Sequence, residues 1–163
     1  MQKMIKGLIN QHEDIFSGTP WYGDGVLEKL DKLDSKVVGI TPLGELHSVI
    51  QLLQHMTAWK KYLIERMNGN ANYEIVADSE IEWPSQSSTE TWEEVVQELK
   101  EVHKIMIGDL NQKTDDWLST INPGTDYTFH ALVQGVIHHV VYHIGQIGLI
   151  VKLIALDSQN SRK

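Results

Sequence analysis

Inward-facing positions recur late in the chain at 4-3-4-3-4 spacing: Leu132, Val136, His139, His143, Gln146 and Ile150. This is the seam of a helix packed along one stripe against other helices. It constrains the fold more than any other segment, because such a stripe has to be covered by partner helices. Two of its positions are imidazoles. Four residues apart on a helix, His139 and His143 share one face, about 6 Å apart at Cβ. A buried polar ring needs a partner. A metal ion would serve both rings at once; hydrogen bonds to neighbouring helices are the alternative. The pair alone carries little weight, since eight histidines in 163 residues give roughly 0.4 such pairs by chance.

The rest of the chain supplies partner helices. Met1 to Ser17 reads as a first helix, with Met4, Leu8 and Ile15 near one face and Gly18 as its stop. The turn-rich segment from Gly18 to Gly25 is a loop carrying Trp21 and Tyr22. A short helix follows from Val26 to Leu33, with Leu27, Leu30 and Leu33 inward. Thr41-Pro42 pairs an N-cap residue with a first-turn proline, predicting a second long helix that ends at Met67, before Asn68-Gly69. Residues 70–88, with Trp83-Pro84 among them, form a long loop. Thr91-x-x-Glu94 has the form of a capping box and opens a third helix. Its apolar positions are Val95, Leu99, Val102, Met106 and Leu110, and it reaches Leu118. Thr128 caps the last helix, which runs to about Ala155. No alternating β pattern and no internal repeat competes. The expectation is an all-α four-helix bundle with a long loop between helices 2 and 3. One domain covers residues 1–157, with a frayed tail over 158–163.

Composition narrows the function classes. The chain has 14 basic and 22 acidic residues, a formal charge of −8, which argues against broad contact with nucleic acid phosphates or anionic lipid. It has no cysteine, which removes thiolate zinc sites, disulfides and a cysteine nucleophile of its own. The N-terminal residues lack the apolar core of a signal peptide. The apolar region from Ala131 to Leu156 is interrupted by histidine and glutamine, a poor membrane span. The expected location is the cytoplasm.

A third ligand would turn the pair into a site. On the second helix, His55 lies among Leu52, Leu53, Met56 and Trp59, while His47 lies near the helix start and is more easily solvated. Three imidazoles from two helices suit Zn²⁺ or Ni²⁺ and leave coordination positions open. His138 points about 100° away from His139 on a helix and belongs to another face. His12, His103 and His130 read as surface or interhelical residues.

At this point the chain resembles the DinB-like (damage-inducible) family, over nearly its whole length. The resemblance rests on Gly18-Thr19-Pro20-Trp21-Tyr22-Gly23, on Leu46-His47-Ser48 with Gln54-His55-x3-Trp59, and on Thr91-Trp92. Its most specific block is His139-x-x-Tyr142-His143-x-Gly145-Gln146-Ile147. The resemblance implies a four-helix bundle, often a homodimer, with a divalent metal held by His55, His139 and His143. Some members of that family are metal-dependent transferases using small thiols such as bacillithiol or mycothiol. One departure is Val140, where relatives often carry a polar residue, commonly aspartate.

Other residues have candidate roles beside this triad. Gln146 is placed to orient His143 or a bound water, or to make an ordinary interhelical hydrogen bond. Trp59 is a packing anchor or a stacking surface for substrate. Tyr142 faces packing or a dimer contact, and Trp21 is a candidate cover for the site mouth. His47 or His12 is a candidate fourth ligand in a closed, structural site. The expected activity is a small-thiol transferase or a hydrolase acting on a small molecule, because a metal with an open position lowers the pKa of water or thiol placed there. With no carboxylate evident on the inner seam, thiol transfer is favoured. The competing class is a non-catalytic, metal-dependent binding or stress-response protein.

Overall fold

The computed structural model describes residues 2–42, 46–84 and 90–160. Among these there are six helices and no strand. They are α1 (Lys3–Ser17), α2 (Val26–Asp31), α3 (Val49–Met67), α4 (Trp92–Leu110), α5 (Asp115–Leu118) and α6 (Phe129–Asn160). The chain is therefore all-α. The four long expected helices correspond to α1, α3, α4 and α6, α2 is the expected short helix, ending at Asp31 rather than Leu33, and α5 is a short addition. α3 packs on both α4 and α6, and α1 lies against α4 and α6.

The helix boundaries follow capping chemistry. In α3, Ser48 Oγ accepts a hydrogen bond from the Gln51 backbone N–H, and Gln51 Oε1 accepts one from the Ser48 N–H. This reciprocal box satisfies two otherwise orphaned donors, and it sets the helix start at Val49 rather than at Pro42. The expectation from Thr41-Pro42 was thus too early; residues 43–45 lie outside the described set. The Thr91–Glu94 box opens α4 as expected. α4 stops at Leu110 rather than Leu118, because Thr114 caps a separate turn, α5. Thr128 Oγ1 accepts from the Ala131 N–H at the start of α6. α6 continues past Ala155 to Asn160, so residues expected in a frayed tail form its last turn.

α1 has no side-chain cap from its own Gln2. Asp115, at the start of α5, supplies it from far along the chain: its carboxylate accepts the N–H groups of Lys3, Met4 and Ile5 at 2.9, 3.1 and 2.8 Å. An anion at a helix N-terminus is stabilising, and these bonds hold the Asp115 carboxyl below its ordinary pKa. The inward face of α1 is Ile5, Leu8, Ile9, His12 and Phe16. Met4 is one step off that stripe and is exposed, contrary to expectation. At the other end, a side chain on Gly18 would collide with the Asp14 backbone at 2.8 Å, and one on Gly25 with the Gly18 carbonyl at 2.9 Å. Only glycine permits this return of the loop onto α1.

Two apolar clusters make up the core. One gathers Ile5, Leu8, Leu63, Met106, Leu110, Leu118 and Val133; the other gathers Phe16, Val26, Leu53, Met56, Leu99, Ile147 and Ile150. In chain position, Lys60 on α3 and His139 on α6 fall between the stretches that feed the two clusters, while His55 and His143 lie within the stretches of the second. By length and composition alone α6 is long and apolar enough to cross a membrane, with a window of mean hydropathy 1.5, although its histidines and glutamines led to the expectation of a poor span. Here its inner stripe is packed against α1, α3 and α5.

Candidate metal centre

His55 is carried at mid-length on α3, and His139 and His143 are one turn apart on α6. The three rings converge through the same atom. His139 Nε2 is 2.9 Å from His55 Nε2 and 2.9 Å from His143 Nε2. The far side of two rings is pinned. His55 Nδ1–H donates to the Glu82 carbonyl at 3.0 Å, and His143 Nδ1–H donates to Gln146 Oε1 at 2.6 Å. A carbonyl oxygen accepts only, so both rings carry their proton on Nδ1 and present a bare Nε2 lone pair to the centre.

That arrangement tests whether a cation fits. A neutral His139 has one N–H to offer and two lone pairs facing it, so protons alone leave one Nε2 opposed by another. Its own Nδ1 is buried without a hydrogen-bond partner. A divalent ion would use all three Nε2 lone pairs at once. Burial is the leading cause that keeps the rings neutral. It lowers His55, brings His143 to about 4 against the opposing Gln146 bond, and brings His139 to about 3 with help from His143, His55 and Lys60. Neutral imidazole is the form that ligates metal.

Trp83 covers one flank. Its indole stacks on His55, with ring centroids 3.9 Å apart and planes within 8°, and on His47, 3.6 Å and 3°. Trp59 meets His139 at 5.7 Å and His55 edge-on at 6.5 Å. A cavity of about 310 Å³ lies beside His139, lined by Trp59, Tyr127, Leu132, Gly135 and Val136 among others. A second, also about 310 Å³, lies beside His143, with His47, Trp83, Tyr142 and Gln146 in its wall.

Not every expected site residue is placed where the sequence put it. His55, His139 and His143 come together, and Gln146 holds His143 while its own Nε2–H donates to the Tyr142 hydroxyl at 3.1 Å. Tyr142 is exposed, yet its ring meets His143 at 4.9 Å. His47 does not join the cluster: it precedes the α3 cap and stacks on Trp83 instead. Trp21 does not cover the mouth. It is 95% exposed and its ring packs against Tyr22.

Two features escaped the sequence reading. Trp83 came from an apparently polar loop, and nothing local announces its stacking. A buried trio, Lys60 with His12 and His103, was also missed. Lys60 Nζ lies 3.1 Å from His103 Nδ1, and all three side chains are nearly inaccessible. The register Met56, Lys60, Leu63, Met67 on α3 was the available clue to Lys60.

Together these observations define an all-α protein whose three-histidine cluster could hold a divalent metal. The chain belongs to the DinB superfamily, whose family model matches residues 24–147. No curated protein and no solved structure matches it.

Proposed function

We propose that this chain is a metal-dependent enzyme acting on a small molecule, with His55, His139 and His143 holding a divalent ion, zinc or nickel. The observation that carries the reading is the convergence of three Nε2 atoms, two of them fixed as lone-pair donors by hydrogen bonds at Nδ1. A membership in a metal-associated superfamily agrees with it. When bound, such an ion supplies Lewis acidity, lowering the pKa of a water or thiol beside it.

The protein's own groups supply positioning. Glu82 and Gln146 fix two ring tautomers, and Trp83 screens one flank from water. No carboxylate lines either flanking cavity among the described residues. Hydrolysis would call for a base to take a proton from water. Transfer of a small thiol to an electrophile asks less, because a thiol ionises far more readily than water. The thiol comes from solution, since the chain has no cysteine. The four long helices are read as the family's four-helix bundle. The reading also includes a cytoplasmic homodimer, which exposed Val141, Tyr142 and Leu149 on α6 support as a contact between copies.

Elemental analysis of the purified protein tests the centre: one ion per chain is expected, and less than a tenth of that in His55→Ala, His139→Ala and His143→Ala. Full metal content in these variants would sink the assignment. Turnover is then assayed with a panel of small thiols and electrophiles. Metal loading without any metal-dependent turnover would favour the competing class, a non-catalytic binding protein.

A further inference from the structure

The two cavities beside the histidines differ in chemistry. The wall beside His143 combines His47, Gln146 and the Tyr142 ring with apolar side chains such as Leu52, Leu149 and Ile150. The wall beside His139 is Trp59, Tyr127, Leu132, Gly135 and Val136, with Ala131; neither wall carries an Asp, Glu, Lys or Arg, and this one also lacks a counterpart to His47 and Gln146. A charged group entering the cavity beside His139 would give up part of its hydration and find no ionic partner in the wall. An apolar group would lose only unfavourable contact with water. A cavity of roughly 150 Å³ accommodates benzene, so about 310 Å³ takes a group up to twice that size. Two of its walls are aromatic rings, which favour a flat, unsaturated guest. His139 closes one side, which sets such a guest against the three converging Nε2 atoms.

We infer that the cavity beside His139 binds the uncharged, aromatic-sized apolar part of the protein's small-molecule substrate. This deepens the proposed reading and rests on it for the word substrate; the binding itself does not require metal. Gly135 offers a clean way to fill the space. It lies one turn before His139, and a Cβ built there meets nothing within 4 Å. Exchange of an exposed helical glycine also improves helix propensity.

The test uses 2-naphthol as a neutral probe and 2-naphthalenesulfonate as its anionic counterpart, titrated into the full chain by calorimetry and followed by ligand-observed NMR. Wild type is expected to bind naphthol at least tenfold more tightly than the sulfonate. Gly135→Leu should weaken naphthol at least tenfold while keeping its helical circular dichroism. Should that variant misfold, Ala131→Met, also in the wall, serves the same purpose. Leu149→Trp, which crowds the other cavity, should leave naphthol binding within twofold. In cobalt-loaded protein the naphthol lines should broaden relative to zinc-loaded protein. The inference is overturned if the filled variants bind like wild type, if Leu149→Trp abolishes binding, or if the sulfonate binds equally well. Failure to load cobalt or zinc would overturn the metal reading alone, because the titrations on metal-free protein still decide the cavity.

Discussion

Gln146 touches no other member of the triad, yet it fixes how His143 is presented. Its Oε1 accepts the Nδ1 proton at 2.6 Å, which turns the Nε2 lone pair toward the centre. Partners of this kind are worth roughly 10- to 100-fold in metal affinity. Gln146→Leu should therefore keep the fold and weaken zinc binding by that range in a competitive chelator titration. An unchanged affinity would mean that α6 packing alone orients the ring. Reading this residue from sequence was possible because it sits on the same seam as His139 and His143. Trp83 was not readable in the same way. Its contact with His55 joins residues that are distant in sequence, and no periodicity reports on a loop folding back over a helix.

At the scale of elements, α3 shows where sequence cues compete. Thr41-Pro42 and Ser48-x-x-Gln51 are both acceptable openings, and the second satisfies two backbone donors where the first could satisfy one. The choice moved His47 off the helix and out of the cluster. Ser48 is buried, so Ser48→Ala should cost about 1–2 kcal/mol, read as a lower urea midpoint with unchanged slope. No loss of stability would show that the cap is dispensable. α6 and α4 were legible almost throughout, because long apolar stripes with a capping residue leave few alternatives. α5 was absorbed into α4 in the sequence reading, since a one-turn helix has too few residues to show a period. Its tertiary task, capping α1 through Asp115, could not be read from local pattern at all.

Across the whole molecule, the buried polar residues set how stability responds to pH. Burial lowers Lys60 to about 7 from an ordinary 10.5. The unfolded chain thus binds the extra proton between those values, and stability rises with pH across that interval, on the order of 1.4 kcal/mol per unit. Burial, reinforced by Lys60, also lowers His12 to about 3 and His103 to about 2. Both are neutral in the fold and protonated when unfolded below their ordinary 6.5, so stability falls as pH drops from 6.5 toward 3. Metal-free protein should show a urea midpoint that climbs from pH 5 to pH 10, with a shallow stretch near 7. Lys60→Met should flatten the alkaline arm and raise stability at pH 6, while the acid arm persists. An alkaline arm unchanged in that variant would place its origin elsewhere.

The stacking of Trp83 on His55 at 3.9 Å gives the protein an optical readout of its own centre. An indole stacked on His55 would lie close enough for an open-shell ion held at the cluster to quench its emission, whereas closed-shell zinc would leave that route shut. Titration with nickel should dim tryptophan fluorescence and titration with zinc should not. In Trp83→Phe the nickel response should fall by more than half, although four other tryptophans remain of the five. Occupancy and ion identity would then be followed continuously in unlabelled protein.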